Sequence, residues 1–181
     1  SRELIGWVVE NLVKNALDYL EDWRAAGCKS EMSIKGTEIV NLMPMAFRQD
    51  IAAADLPFAF LNPGDVAIMP DPGYQAYRGG TVLAGGEPWM VPLRPEHDFL
   101  IPLADLPADV VKRARILFLN YPNNPTAASA PDSYYRDAIA FCREHDVILV
   151  HDHAYSELGF DGYKPPSILQ FEGARDVAIE F

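Results

Sequence analysis

The spacing of apolar and polar positions divides the chain into an N-terminal helical part and a longer part of short apolar runs. Over residues 1–26, apolar side chains recur every three or four positions, which predicts an amphipathic helix. Residues 28–50 show no clear period. The apolar segment 51–60 predicts a second helix, which ends at the turn-forming sequence Asn62-Pro63-Gly64-Asp65.

Beyond that turn, short uninterrupted apolar runs alternate with segments of helical spacing. The runs predict strands at 66–69, 88–92, 115–119 and 147–150, and the segments predict helices at 74–84, 103–113 and 133–145. Strands that are apolar on both faces are typical of a parallel sheet covered by helices on each side. We therefore expect an α/β fold, a three-layer sandwich with a mainly parallel sheet, preceded by the amphipathic helix.

The composition indicates which classes of binding partner and which cellular location to expect. The 181 residues include 15 basic and 26 acidic side chains, a net charge of −11, which disfavours binding to nucleic acid or to an anionic membrane. No apolar run reaches the roughly 18 residues of a membrane span. Cys28 and Cys142 are far apart in the sequence, so we expect no disulfide framework and a cytoplasmic location.

Three of the predicted strands end in polar sequences. The first is followed by Asp71-Pro72-Gly73-Tyr74, the third by the segment 120–126, and the fourth by Asp152 with Tyr155 close behind. Open α/β sheets bind ligands outside the carboxyl ends of their strands. The sequence therefore predicts a crevice that contains an aromatic ring, two amides, a carboxylate and a phenol, without indicating the ligand.

Two histidines are the only pair that suggests a metal ion. His151 and His153 flank Asp152, and alternation along the strand would put both on one face. A third ligand is not evident from the sequence, and the prediction is that the chain holds no metal ion.

Several motifs between residues 56 and 181 occur together in one known family. They read FAFLNPGD at 58–65, PDPGY at 70–74, NYPNNPT at 120–126, DHAYSE at 152–157 and FDGYKPPS at 160–167. In this order they resemble the large domain of fold-type I, pyridoxal-phosphate (PLP)-dependent aminotransferases, especially the branch of LL-diaminopimelate and related aspartate or alanine aminotransferases. The resemblance implies a helical segment of uncertain affiliation at 1–50 and a partial cofactor-binding domain at 51–181.

The resemblance implies PLP as the cofactor and gives four residues a role. Asp152 would pair with the pyridine nitrogen and keep it protonated, and Tyr74 would stack on the ring face. Asn124 and Tyr155 would hydrogen-bond the phenolic oxygen of the ring. From the residues alone, other roles stay open: Asp152 could cap a helix or form an ion pair, Asn124 could only form a turn before Pro125, and the tyrosines could be packing residues.

The chain departs from the family pattern in two places. Transamination needs a lysine that attaches the cofactor, and none of the five lysines, at positions 14, 29, 35, 112 and 164, has the family's small-residue, serine-rich context. We therefore expect a piece of a longer protein that contains no catalytic residue of its own and cannot catalyse transamination alone. Where the phosphate-binding loop is expected, Phe47-Arg48-Gln49-Asp50 has no glycine, so PLP binding is expected to be weak and non-covalent.

Two other functions stay open at this point. Glu10, Asn11 and Asn15 lie within one helical turn and resemble the magnesium-binding helix of histidine-kinase-type ATPases, although the glycine-rich boxes of those enzymes are absent. The chain could also be a non-catalytic remnant or a self-associating interaction module. For an aminotransferase, the resemblance implies an amino acid and a 2-oxo acid as substrates, and a homodimer.

Overall fold

The computed structural model describes residues 45–181, with side chains from residue 53 onward. The helix expected at 1–26 and the ATPase-like residues within it lie outside the described residues. The helices are α1 (Met45–Phe60), α2 (Gln75–Leu83), α3 (Ala108–Arg113), α4 (Asp132–His145) and α5 (Ala174–Val177). The strands are β1 (Val66–Asp71), β2 (Glu87–Pro92), β3 (Ala114–Asn120), β4 (Ile148–Asp152) and β5 (Ala178–Glu180). None of the described helices is both long enough and apolar enough to cross a membrane.

The described strands form one sheet in the order β2-β1-β3-β4-β5, and every neighbouring pair is parallel. Parallel neighbours need a crossover connection, and helices supply it after β1, β2, β3 and β4. This architecture confirms the predicted α/β fold with a parallel sheet.

Helices cover both faces of the sheet, which completes the three layers. On one face, Leu117 and Leu149 pack in a core with side chains from α3, α4 and α5. On the other face, Phe118 and Val150 pack in a second core with side chains from α1 and α2. Since strand residues alternate between faces, Asp152 belongs to the face of α1 and α2.

The prediction of a single helix at 103–113 is wrong in part. The structure has a 3-10 turn at Leu103–Asp105 and a separate helix, α3, that begins at Ala108. Leu106 is extended between them, with φ −65° and ψ 134°. The physical reason is Pro107, because the residue before a proline is pushed out of the helical region.

Two further differences concern strands. β1 continues through Pro70 to Asp71, beyond the predicted end at residue 69. A proline is tolerated there because the pairing of β1 with β3 ends at Ile68, so that Pro70 has a strand neighbour only in β2. The pattern predicts neither α5, of 4 residues, nor β5, of 3 residues, because a periodic signal needs a longer segment.

Candidate active site

The carboxyl ends of β1, β3 and β4 meet at one edge of the sheet. The order of strands reverses between β1 and β3, since β2 lies on one side of β1 while β3, β4 and β5 lie on the other. Such a reversal leaves a crevice at the carboxyl ends of the strands, where α/β proteins bind ligands. Asn120 and Asp152, the last residues of β3 and β4, are paired in register at this edge.

Asp152 is a buried carboxyl group at this edge, with 4% of its surface exposed. Its Oδ2 accepts a hydrogen bond of 2.6 Å from the hydroxyl of Tyr77, whereas its Oδ1 has no hydrogen-bond partner among the described residues. Burial raises the pKa of Asp152, and the hydrogen bond from Tyr77 opposes the rise. A buried carboxylate oxygen without a partner is costly unless a ligand or water supplies a donor.

Tyr77 belongs to this site although no sequence motif predicts it. It is fully buried in α2 and stacks on Phe118, with ring centroids 4.5 Å apart and planes at 11°. Burial and the neighbouring charge of Asp152 raise the pKa of Tyr77 well above its ordinary value, so the hydroxyl stays protonated and donates. No sequence signal identifies it, because a tyrosine at helical spacing is usually a packing residue and its partner is 75 positions away.

Asn120 connects the strand end to the loop that follows β3. Its Nδ2 donates to the backbone carbonyl of Asp152 at 2.9 Å, and its Oδ1 accepts from the backbone N–H of Asn124 at 2.8 Å. The side chain is buried, so both hydrogen bonds are sheltered from water. Asn120 belongs to the polar segment that follows the third predicted strand, but nothing in the sequence indicates this role.

Asn124 and Tyr155 line one pocket of about 420 Å³ beside this edge. Apolar and aromatic side chains of the loop after β4 form another wall, namely Leu158, Phe160 and Tyr163. Asn124 is exposed and Tyr155 is half-buried, so both are accessible to a ligand. The loop that carries Asn124 is fixed internally, since the Asn123 side chain accepts from the Thr126 hydroxyl at 2.7 Å.

Tyr74 lies just before α2 and is 36% exposed. The edge of its ring meets the ring of Tyr77, with centroids 5.8 Å apart and planes at 80°. Gly73 makes the turn before it possible, because a Cβ at that position would collide with the carbonyl oxygen of Pro70. Tyr74 is therefore connected to Asp152 through Tyr77.

Comparison with known proteins identifies the family. The family described as "Aminotransferase class I and II" matches residues 50–179, well over half of the chain. The chain belongs to the class I and II aminotransferases. An LL-diaminopimelate aminotransferase from Halothermothrix orenii is 52% identical over 128 residues, which make up 71% of this chain and 33% of that enzyme.

Solved structures share the fold of this aminotransferase chain. Substrate-bound BacF from Bacillus subtilis matches with a TM-score of 0.69 at 40% identity, over 72% of this chain and 33% of BacF. An aminotransferase from Staphylococcus aureus matches with a TM-score of 0.71 at 30% identity, over 96% of this chain and 49% of its own. The chain spans about a third of the length of the curated relatives that it matches, at 33% for the Halothermothrix orenii enzyme.

Class I and II aminotransferases depend on PLP, and the residues at this sheet edge fit that cofactor. The buried Oδ1 of Asp152 lacks a donor among the described residues, and a protonated pyridine nitrogen is a donor of the required kind. The four predicted site residues form two groups: Asn124 and Tyr155 line the pocket, whose lining includes neither Asp152 nor Tyr74, and Tyr74 is connected to Asp152 through Tyr77. Their individual contacts to the cofactor stay predictions.

The segment expected to bind the phosphate group of PLP lies at the start of the described residues. Phe47 to Asp50, where the family's phosphate-binding loop was expected, lie in helical backbone within α1, and their side chains are outside the described part. The absence of a glycine there is a sequence observation. Weak, non-covalent binding of PLP therefore also stays a prediction.

A second buried polar group lies on the opposite face of the sheet. His151 is fully buried, and its Nδ1 donates to Oε2 of Glu180 at 2.9 Å. The Glu180 carboxylate also accepts from the Ser167 hydroxyl at 2.6 Å and from the backbone N–H of Ile168 at 2.8 Å. Burial alone would raise the pKa of Glu180, but these hydrogen bonds hold it well below its ordinary range. Burial lowers the pKa of His151.

Glu180 is a third potential metal ligand, which the sequence does not place beside the two histidines. One potential ligand atom each of His151, His153 and Glu180 lie within 4.8 Å of one another. The two imidazole rings are stacked, with centroids 4.8 Å apart and planes at 26°, so their in-plane lone pairs do not converge well on one point. Both oxygens of Glu180 already accept hydrogen bonds. The geometry favours a hydrogen-bonded network between β4 and β5, and the absence of a metal ion stays a prediction.

Proposed function

We propose that this chain provides the cofactor-facing part of the large domain of a PLP-dependent aminotransferase, which transfers an amino group between an amino acid and a 2-oxo acid. The observation that carries the proposal is the buried Oδ1 of Asp152, which has no partner among the described residues. The identity of 52% to an LL-diaminopimelate aminotransferase supports a diamino dicarboxylic acid as the amino donor. The substrate is part of the proposal, because the chain spans about a third of that relative, 33%.

Four side chains take distinct roles in this proposal. When bound, PLP supplies a pyridine ring that accepts the electron density released as the Cα–H bond of the substrate breaks. Asp152 holds a proton on the ring nitrogen, and Tyr74 stacks on the ring face. Asn124 and Tyr155 hydrogen-bond the phenolic oxygen of the cofactor, which favours the anionic form of that oxygen.

We propose further that the chain does not catalyse transamination by itself. Two lysines, Lys112 and Lys164, belong to the described part. Lys112 lies in α3, whose Val110 packs on the sheet face opposite to Asp152, and Lys164 is exposed in the loop after β4. These positions, together with the sequence context of the other three lysines, support a chain without a cofactor-attaching lysine.

A homodimer and a cytoplasmic location complete the proposal. Phe58, Val82 and Leu83 are large apolar side chains with 57%, 52% and 75% of their surface exposed on α1 and α2, which supports a contact surface there. Cys142 is buried and free, in keeping with a reducing compartment.

The first test is a titration of the chain with PLP, in which the absorbance of the cofactor reports binding. We expect saturable binding that Asp152→Asn weakens about tenfold to a hundredfold, because one charge-assisted hydrogen bond is lost at constant side-chain volume. Asp137→Asn is the matched control, since it removes the same charge from an exposed position on α4. This control should bind PLP like the wild type.

The second part of the test addresses catalysis. Borohydride reduction of the loaded chain, followed by mass spectrometry, should give no stoichiometric pyridoxyl adduct, and the chain should show no amino-group transfer. A site-specific adduct or PLP-dependent turnover would contradict the proposed inactivity. An absence of saturable PLP binding would contradict the cofactor site itself.

A further inference from the structure

The two carboxylate oxygens of Asp152 have different surroundings. Oδ2 accepts the 2.6 Å hydrogen bond from the Tyr77 hydroxyl. Oδ1 is buried and has no partner among the described residues. The protein therefore occupies one oxygen and leaves the other for a donor on a ligand. The hydrogen bond from the Tyr77 hydroxyl determines which of the two oxygens stays available to a ligand.

The packing around Tyr77 holds its hydroxyl in one position relative to Asp152. Its ring is fully buried and stacked on Phe118, at 4.5 Å between centroids. Its backbone carbonyl accepts from the Thr81 hydroxyl at 2.7 Å, one turn further along α2. A phenol ring has only two rotatable side-chain bonds, so the stacked ring determines where the hydroxyl lies.

The same hydrogen bond is one of the interactions that determine how strongly Asp152 attracts a proton. A donor to a carboxylate stabilises its anion and lowers its proton affinity. Burial has the opposite effect, because a charge is poorly solvated away from water. Tyr77 therefore offsets part of the cost of keeping a buried Asp152 ionised.

We infer that Tyr77 is a positioning residue for the cofactor: its hydroxyl orients the carboxylate of Asp152 and keeps it anionic, so that the proton between Oδ1 and the pyridine nitrogen stays on the ring. This inference rests on the proposed function, because it requires PLP at Asp152. Without the hydroxyl, Asp152 becomes the stronger base and takes a larger share of the proton. The ring nitrogen is then protonated less, although every direct cofactor contact is intact.

The test compares two buried hydroxyl groups on opposite faces of the sheet. Tyr77→Phe keeps the ring on Phe118 and removes only the hydroxyl. Tyr134→Phe is the matched control, because the buried Tyr134 hydroxyl donates to the backbone carbonyl of Ile101 at 3.1 Å, away from Asp152. PLP labelled at its ring nitrogen is added to each chain, and nitrogen NMR reports the protonation of that nitrogen.

We expect the nitrogen resonance to move toward the unprotonated position in Tyr77→Phe and to stay unchanged in Tyr134→Phe. PLP binding should weaken about threefold to tenfold in Tyr77→Phe only, the range of one hydrogen bond. In an Asp152→Asn background, adding Tyr77→Phe should change neither quantity, since the carboxylate through which Tyr77 acts is gone. Equal resonances and affinities in the wild type and Tyr77→Phe would overturn the inference.

A measurement without PLP separates this inference from the proposed function. Carboxyl-carbon NMR of the unloaded chain follows the titration of Asp152, identified by its loss in Asp152→Asn. We expect the titration midpoint to move upward in Tyr77→Phe, and an unchanged midpoint would overturn the inference directly. A wild-type chain that binds no PLP contradicts the proposed function, and the cofactor role of Tyr77 falls with it. Binding with an unchanged nitrogen resonance contradicts the role of Tyr77 alone.

If Tyr77→Phe does not fold, proton NMR of the wild type gives a second route. A buried hydroxyl proton in a 2.6 Å hydrogen bond should resonate far downfield and change position as Asp152 titrates. A Tyr77 hydroxyl proton that does not respond to the titration of Asp152 would contradict the inference.

Discussion

A single side chain, that of Asn120, connects two of the three segments that carry the proposed cofactor contacts. It donates to the backbone of Asp152 and accepts from the backbone of Asn124. One amide therefore fixes the end of β4 relative to the loop that lines the pocket. Both partner atoms belong to the main chain, so the geometry depends on Asn120 rather than on the side chains at positions 124 and 152.

Removing this amide should destabilise the chain. Asn120→Ala leaves a buried carbonyl and an amide N–H without their partners, and we expect the free energy of unfolding to fall by about 1 to 3 kcal/mol. Asn124→Ala is the matched control: its side chain is exposed, and the change should stay within about 0.5 kcal/mol. Urea denaturation of both variants makes the comparison. Equal losses would show that the Asn120 side chain is not the connection that holds this edge.

Residue positions at this edge were predictable to different degrees. Asp152 could be placed at a strand end because a run of apolar residues leads up to it. Tyr77 and Glu180 could not be connected to their partners, because those contacts join segments 75 and 29 positions apart. Local periodicity carries no information about such pairs, which arise only when the strands are ordered in the sheet.

At the level of elements, α1 and α2 approach each other closely at a glycine. A Cβ on Gly80 would lie 2.5 Å from the carbonyl oxygen of Ala54 and 2.9 Å from its Cα. These are backbone atoms of α1, so the clash cannot be relieved by rotating a side chain. The spacing of the two helices therefore depends on the absence of a side chain at this position.

Two neighbouring glycines of α2 should respond in opposite directions to alanine. Gly80→Ala should destabilise the chain by about 1 to 3 kcal/mol, because α2 must move away from α1. Gly79→Ala meets no atom within 4 Å and should stabilise it by up to about 1 kcal/mol, since alanine favours the helix. Thermal unfolding of both variants checks the pair. A gain of stability in Gly80→Ala would mean that the two helices are not in such close contact.

Most elements follow from the sequence because buried parallel strands are continuous apolar runs. The four predicted strands are found with small changes at their ends. The pattern fails where a local steric rule overrides it: Leu103, Leu106 and Val110 have helical spacing, but Pro107 interrupts the helix. It also fails for β5, which is defined by its pairing with β4 rather than by its own sequence.

At the scale of the whole molecule, Glu180 joins the last strand to the rest of the fold. Its carboxylate on β5 accepts from His151 on β4 and from Ser167 and Ile168 in the connecting segment. A carboxyl group whose pKa is lowered by folding stabilises the native state only while it is ionised. This network therefore makes the stability of the chain depend on pH.

Acid should lower the free energy of unfolding through two residues of the network, Glu180 and His151. The pKa of Glu180 is lowered from its ordinary 4.5, so its contribution is complete above that value and is lost as the pH falls through its lower native pKa. The pKa of His151 is lowered from 6.5, so its protonation below that pH also favours the unfolded chain. Unfolding in urea at a series of pH values measures both effects.

A variant of Glu180 measures how much of the loss of stability in acid comes from this residue. Glu180→Gln should lose about 1.5 to 3 kcal/mol near neutral pH, the range for a hydrogen bond to a charged group, and should lose less than the wild type as the pH drops below 4.5. Glu172→Gln, an exposed residue nearby in the sequence, should follow the wild-type curve. A Glu180→Gln chain with the full acid sensitivity of the wild type would remove Glu180 as its source.

Adjacent residues of β4 form hydrogen bonds on opposite faces of the sheet: Asp152 accepts from Tyr77 of α2, and His151 belongs to the network with Glu180. A deletion or insertion of one residue within this strand would reverse both faces at once. It would put an imidazole beside Tyr77 and a carboxylate in the core beside Glu180, where two like charges would meet. A change of two residues would keep the alternation and only move the strand along its neighbours. β4 should therefore tolerate changes of length in steps of two far better than in steps of one.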